Sequence, residues 1–414
     1  MTNETPVQNR QYDIVVWGAS GFTGRLVVEY LNDRYKNGGD LNWAIAGRNQ
    51  KKLQQILDGL AISENVPDIL IADSHDADSL RKLTRSTKVV LTTVGPYALY
   101  GSELVGACVE TGTHYCDLSA EIYWLRQMME KHQAAAQTSG ARIVHACGFD
   151  SIPSDLGVQF LQEHAIREYD APCRRINLFV KAIKGGGSGG TIASGLNALD
   201  EARKNKQAAR VMVDPYSLNP EGERQGPDGR DQRGIEHNDL IDSWTAPFIM
   251  AIINMRIVRR SNALMDYPYG KDFSYAESML TGHGGGGWLK SAGMVAGLGG
   301  FILASSFSLT RSLLIEKLIP KPGEGPGKKE RENGFYNLIL IGQMQDGRLI
   351  RARVVGDRDP GYGSTSKMLS EAAVCLAKDD IPVDGGFWTT ASSMGELLRK
   401  RMIDNAGLTF KIEG

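Results

Sequence analysis

The sequence predicts an α/β protein. An N-terminal domain with a doubly wound, mainly parallel sheet is followed by a second, mixed α/β domain, and a C-terminal segment packs back on the first. Three observations predict this. Strand-like and helix-like stretches alternate from Tyr12 to about Asp150. A β-branched strand, Asp13-Ile14-Val15-Val16-Trp17, runs straight into Gly18-Ala19-Ser20-Gly21-Phe22-Thr23-Gly24 and then into the helically spaced apolar residues of Arg25–Leu31. At 414 residues the chain is long enough for two or more compact lobes.

The remaining elements follow in order. Strands are expected at Trp43–Ala46, Ile69–Ala72, Val89–Val94 and Ala141–His145, with helices at Gln50–Leu57, Ala77–Arg85, Ser102–Thr111 and Ile122–Ser139. Cys147–Asp155 leaves the sheet and leads into a helix at Leu156–Glu163. A strand at Arg175–Ala182 feeds a loop, Lys184–Thr191, and a helix, Ile192–Arg203. Residues 213–238, rich in proline, glycine and charge, read as an exposed excursion. Gly282–Gly287 reads as a further loop, and Lys321–Lys329 as a flexible connector. Phe335–Gln345 and Leu349–Gly356 form two antiparallel strands about a turn at Asp346-Gly347. Helices are expected at Ser366–Ala377 and Met394–Asn405. The expected division is a disordered lead-in over 1–11, a nucleotide-binding domain over 12–150, a substrate or dimerisation domain over 151–360 and a returning helical segment over 361–414.

Charge nearly balances, with 47 Lys and Arg against 48 Asp and Glu, so no global field draws the chain to nucleic acid. Five scattered cysteines lack metal-finger spacing and read as reduced thiols in a cytoplasm. The polar N-terminus carries no apolar export core. Ser291–Thr310 contains no charged residue. It reads either as a buried, glycine-rich helix pair or as an apolar face that touches membrane, lipid substrate or a second subunit.

The glycine turn carries the chemistry. Gly18 can take backbone angles closed to other residues, Gly21 lets the main chain approach a diphosphate, and Gly24 lets the helix pack on the strand. The helix N-terminus offers N–H groups to an anion, with Phe22 at its start and the Ser20 and Thr23 hydroxyls beside it. After the second strand, where NAD sites place a carboxylate, stands Arg48, with Lys51 and Lys52 behind it. A guanidinium there suits a 2′-phosphate and predicts NADP(H) over NAD(H). The other reading of Arg48 is a solvated, basic helix start. Asp73 ends the third strand at the expected adenine edge, and Gly95 and Pro96 end the fourth against the nicotinamide half.

Tyr97 is the first candidate for the catalytic proton donor; its other reading is an aromatic ring packed beneath the cofactor. Asp150 and Asp155, beside Ser151 and Ser154, either meet substrate or hold an interdomain hinge, and Asp155 also suits a helix cap. Tyr115-Cys116-Asp117 forms a compact polar cluster, although nothing marks Cys116 as a nucleophile. His114 and His145 have no metal-like spacing and read as structural, so no metal is expected. The Lys184–Thr191 loop is either an anion cradle or a close-packed turn.

These pieces resemble one family. Val16–Gly24, Ala46-Gly47-Arg48, Val94-Gly95-Pro96-Tyr97, Tyr115–Ser119 and Cys147–Asp155 resemble the saccharopine dehydrogenase-like oxidoreductases. The branch holding the mycobacterial trans-acting enoyl reductases is the nearest, through stretches like Ser188–Thr191 and Gly361–Thr365. The resemblance implies a Rossmann domain, with Gly18, Gly21 and Gly24 at the pyrophosphate and Arg48 at the ribose phosphate. It implies an NADP(H)-dependent reduction of a C=C or C=O group on a bulky, apolar acyl or polyketide-type substrate. Two alternatives stand beside it. One is a saccharopine-type imine reductase, although no arginine pair stands out to clamp its substrate and the Gly-Pro-Tyr and Tyr-Cys-Asp-Leu stretches depart from true saccharopine reductases. The other is a non-catalytic, lipid-associated NADP(H)-binding protein. Peripheral membrane or lipid contact through 291–319 and a homodimer complete the expected partners; the expected location is cytoplasmic with membrane association.

Overall fold

The computed structural model describes residues 9–60, 65–185, 189–305, 307 and 325–413, which divide into two units. The first is built mainly from residues up to Ile152 and from Tyr362–Ala406. Its strands and helices follow in order: β1 (Tyr12–Trp17), α1 (Phe22–Tyr35), β2 (Trp43–Gly47), α2 (Gln50–Gly59), β3 (Asp68–Ile71), α3 (Ala77–Arg85), β4 (Thr87–Thr92), α4 (Tyr97–Tyr100), α5 (Ser102–Thr111), β5 (His114–Cys116), α6 (Ile122–Ser139) and β6 (Arg142–Val144). These six strands lie parallel in the spatial order β6-β5-β4-β1-β2-β3. Helices cover both faces of such a sheet, so β1, β2 and β4 are almost continuously buried, with apolar runs at Ile14–Trp17, Trp43–Ala46 and Val89–Leu91.

The expected return of the C-terminal segment to this sheet is observed. Gly386–Trp388 pairs in parallel with β6 as the seventh strand. The helix Thr365–Lys378 meets α1 through a buried carboxylate: Tyr30 and Tyr35 donate to Glu371 Oε1 at 2.7 and 2.6 Å, and Arg401 lies 3.3 Å from its other oxygen. Burial and the Glu371 charge push both phenols well up. Residues 402–406 form a π turn, so the last helix is Gly395–Arg401, shorter than expected. Arg10, inside the stretch expected to be a disordered lead-in, donates to the Thr84 and Thr87 carbonyls at 3.2 and 2.8 Å; residues 1–8 of that stretch lie outside the described residues.

The second unit contains α7 (Ile152–Tyr169), β7 (Arg175–Lys184), α8 (Gly189–Lys204), α9 (Lys206–Val213), β8 (Glu236–Asn238), β9 (Ser243–Pro247), α10 (Ala251–Leu264), β10 (Ser274–Gly282), α11 (Gly284–Ala304), β11 (Phe335–Gln343), β12 (Leu349–Gly356) and, at the end of the chain, Leu408–Glu413. That last strand makes the tail less purely helical than expected. Its sheet runs in the order Leu408–Glu413, β12, β11, β7, β10, β9, β8, and only β7 and β10 pair in parallel. α7 seats on β11 and β12 at glycines: a Cβ at Gly157 would lie 3.1 Å from Val354, and one at Gly342 would lie 2.7 Å from Leu161.

Local details add to or differ from the expectations. Residues 213–238 are largely exposed or half-buried, as expected, but the segment is tied down: Tyr216–Asn219 are buried and Asp228 and Asp231 pair with arginines of α10. Gly284–Gly287 is the first turn of α11, folded so tightly on Gly282 that a Cβ at Gly287 would overlap its carbonyl. The uncharged stretch is not buried: within α11 only Gly287 and Ser291 are. Residues 308–319, the second half of the expected helix pair, lie outside the described residues. The connector ends in a short helix, Lys328–Glu332. Of the Lys184–Thr191 loop, residues 186–188 lie outside the described residues, while Gly185 packs so closely that a Cβ would lie 2.7 Å from Asp359.

Candidate functional site

The junction of β1 and α1 is closed by main-chain hydrogen bonds and by the close approach of Val94. Gly18 sits at φ +88°, and its N–H donates to the Ala46 carbonyl of β2 at 3.0 Å. Its carbonyl accepts from the Gly21 N–H at 2.9 Å. A Cβ at Gly18 would lie 2.4 Å from the Val94 side chain, and one at Gly24 only 2.2 Å from the Gly18 carbonyl oxygen. Neither position has room for a larger residue. Gly21 is the N-cap of α1 in an extended conformation, and no side chain caps that helix. Ser20 is exposed and Thr23 half-buried beside it. The Phe22 ring is packed edge-on against Tyr362, with centroids 4.8 Å apart. A helix start with a partial positive charge and no carboxylate or hydroxyl cap is fitted to take a phosphate anion.

The registers Trp17–Ala46, Trp17–Thr92 and Gly47–Ile71 bring the carboxyl ends of β1 to β4 to one rim. Arg48 follows β2 on that rim, exposed and without an ion-pair partner among the described residues. Its neighbour Asn49 caps α2 by accepting from the Lys52 N–H at 3.0 Å, so the cap does not consume the guanidinium. Asp73, after β3, accepts from the His75 N–H at 2.9 Å, and its own N–H donates to Ser79 Oγ at 3.1 Å. Gly95 is exposed and Pro96 half-buried just beyond β4.

Tyr97 does not project from this rim. It is buried, its hydroxyl donates to the Thr92 carbonyl at 3.3 Å and accepts from the Leu118 N–H at 3.2 Å, and its ring stacks on Trp124. Burial and the Asp117 charge raise its pKa well above the ordinary phenol value. A hydroxyl committed to two main-chain groups braces the loop after β4, which favours the reading of Tyr97 as a packed ring over that of a proton donor.

Two carboxylates that sequence reasoning did not single out as a pair organise this region. Glu121 accepts from the Tyr97 and Ala98 N–H groups at 2.7 and 2.9 Å and so caps α4. Asp117 accepts from the Tyr115 hydroxyl at 2.9 Å, the Ser119 N–H at 3.0 Å and the Ala146 N–H at 3.2 Å, and lies 2.7 Å from His145 Nδ1. The polar cluster seen at 115–117 is therefore one half of a network whose other half arrives with β6. Cys116 is buried and its thiol is pushed well up, in keeping with an inert residue.

Asp150 lies beyond β6, where Gly148 is pressed between Leu118 and Thr365 and the Phe149 N–H donates to Thr365 Oγ1 at 3.0 Å. Burial, reinforced by the Asp117 charge, pushes the Asp150 carboxyl up to about 7. That value suits a group that exchanges protons near neutrality. Asp155 is separate from it: α7 already starts at Ile152, so Asp155 lies inside the first turn and not at the cap, and it accepts from Ser261 of α10. No cluster of three or more potential metal ligands occurs among the described residues.

The comparisons agree with this geometry. Residues 14–144 match the family profile of the saccharopine dehydrogenase NADP binding domain. The chain is 40% identical over 409 residues to a putative trans-acting enoyl reductase of Mycobacterium tuberculosis, covering 95% of this chain and 96% of that protein. It is 35% identical over 404 residues to the trans-acting enoyl reductase of Mycobacterium ulcerans, with the same coverage of each. Among solved structures, apo saccharopine dehydrogenase (L-Glu forming) from Saccharomyces cerevisiae is similar over 97% of this chain and 100% of that one, at TM-score 0.53 and 10% identity, a likeness of fold.

Proposed function

Because this chain belongs to the saccharopine dehydrogenase-like oxidoreductases, in the family of the trans-acting enoyl reductases, we propose that it reduces an activated C=C bond of a bulky, apolar acyl substrate with NADPH. The chain is an NADP-binding dehydrogenase or reductase. Enoyl reduction is the finer reading. The observation that carries it is similarity over 95% of the chain to relatives named for that reaction.

A feature of the second unit counts against the imine reading. Saccharopine-type substrates carry several carboxylates and call for cationic clamps. Arg256, Arg259 and Arg260 do form a buried cluster on one face of α10. Their guanidiniums are, however, held by Asp231 at 2.9 Å, by Asp228 at 2.6 Å, and by the carbonyls of Met212, Pro215, Leu218 and Tyr275. They lock the 212–231 segment in place and leave an apolar substrate the better match.

The fit to NADP(H) rests on the glycine cradle and the uncommitted Arg48. NADPH, when bound, supplies the hydride. Gly18, Gly21, Gly24 and the start of α1 would hold its diphosphate, with Ser20 and Thr23 alongside, and Arg48 would take the 2′-phosphate. Asp73 would border the adenine, and Gly95 and Pro96 the nicotinamide half. Saturating a C=C also requires a proton on the neighbouring carbon. Asp150, with its carboxyl near 7, is protonated in about half of the molecules at neutral pH and is the group proposed to hold the proton.

Two measurements test this. NADPH oxidation is expected with an enoyl thioester and not with the saccharopine-forming pair of substrates; the reverse result rejects the enoyl reading, and binding without turnover of either supports the non-catalytic one. Arg48→Ala is expected to weaken NADPH by roughly 10- to 100-fold, about 1.4–2.7 kcal/mol, and NADH far less. Equal weakening of both nucleotides would refute the ribose-phosphate role.

A further inference from the structure

Helix α11, Gly284–Ala304, is an anomaly in a folded unit. It is 21 residues long, with a mean hydropathy of 1.3 over its most apolar 18-residue window, and only 11% of that window is buried. Its first two turns are anchored, since Gly287 packs on Gly282 and the Ser291 hydroxyl lies 2.7 Å from that of Thr281 on β10. Beyond Ser291 no residue of the helix is buried. Trp288, Leu289, Met294, Ile302 and Leu303, and Phe307 after the helix, are all exposed, Leu289 by 68% and Leu303 by 63%.

Three properties say what covers this helix. At 100° per residue, Trp288, Leu289 and Met294 point in three directions, about 100–140° apart, with Ile302 about 40° from Trp288 and Leu303 about 40° from Leu289, so exposed apolar surface runs around the helix and not along one stripe. A partner protein docks on one stripe, whereas apolar character on every side belongs to a helix surrounded by hydrocarbon. The thirteen residues beyond Ser291, at 1.5 Å each, reach about 20 Å, enough to enter a bilayer whose hydrocarbon core is roughly 30 Å thick but not to cross it. From Gly284 to Ile315 the only charged residues are Lys290 and Arg311, both cationic, bracketing twenty uncharged residues. Trp288 and Lys290 stand at one end, where an indole and an ammonium reach lipid headgroups.

We propose that α11 is a membrane anchor that embeds in a bilayer carrying anionic phospholipid. The inference does not rest on the reaction proposed above. It is tested on the full chain by flotation with phosphatidylcholine vesicles doped with phosphatidylglycerol. Wild-type protein is expected to float with the vesicles, and the Leu289→Glu/Leu303→Glu variant about tenfold less, because a carboxylate resists entry into hydrocarbon. Circular dichroism and urea unfolding of that variant matching the wild type show that its fold is intact. Equal flotation of the two proteins overturns the proposal, as does no flotation of either. If light scattering without lipid shows a dimer that the variant dissolves, and vesicles capture neither protein, the helix is an interface between two copies and the proposal also fails.

Discussion

The β1–α1 junction of the first unit and helix α10 of the second are both tightly closed, but by opposite means. At the junction the closing contacts are the Gly18 carbonyl against Gly24 and a Val94 methyl against Gly18, which leave 2.4 Å or less for a side chain, the chain is held by backbone hydrogen bonds, and the helix start carries no cap. At α10 the closing atoms are the tips of long side chains, with Arg256 and Arg259 reaching carboxylates 25 and 31 residues earlier in the chain. The difference teaches where binding capacity resides. A junction closed by backbone leaves N–H groups at a helix start to meet a ligand. A cluster closed by paired charge has used up the groups that would otherwise recognise one.

Replacing α10's charge should therefore cost fold and not cofactor. Arg259→Met strips a buried guanidinium from Asp228 and leaves that carboxylate uncompensated, a loss of about 3–5 kcal/mol. Urea unfolding should report the loss while the affinity of the remaining folded protein for NADPH stays as it was. A parallel fall in NADPH affinity would break the separation of the two regions.

The converse change belongs at the junction. Gly24→Val places carbon against the Gly18 carbonyl and should weaken NADPH roughly a hundredfold or more, about 2.7 kcal/mol. Titration of NADPH fluorescence measures this, with circular dichroism checking that α1 persists. Unaltered affinity would mean that the close approach at Gly18 is not what admits the diphosphate.

Asp150→Asn sharpens the comparison from the side of the chemistry. The Asp150 pKa lies above that of an unfolded carboxyl, so its proton is kept up to about pH 7 and lost above it. Reduction is expected to slow as pH rises through that value. In the Asn variant the slope should vanish and turnover should fall by about 100-fold. A wild-type pH profile retained by the variant removes Asp150 from the proton path.

Most of the first unit was legible because its signals are local. A β-branched run, three glycines and a helical period occupy consecutive residues, and each acts through its own backbone. Arg48 was legible for the same reason, as the residue that directly follows a strand. The network behind the rim was not. Glu121 caps residues 24 positions away, and Asp117 meets His145 across 28, with no spacing rule to announce either. Tyr97 had two readings in the sequence because a residue after a strand end can face the ligand or turn beneath it, and its contacts with Leu118 and Trp124 favour the second.

By itself, then, the order of residues determined the parallel nucleotide-binding sheet, the glycine turn and the hairpin of β11 and β12, since each follows from period, turn chemistry and backbone freedom over short spans. Tertiary structure alone decided which ionisable groups pair, that a three-residue strand near the C-terminus completes the first sheet, and that an uncharged helix stands exposed. Those outcomes depend on which distant surfaces meet, and burial, which sets both the cost of a charge and the value of an apolar side chain, exists only once they have met.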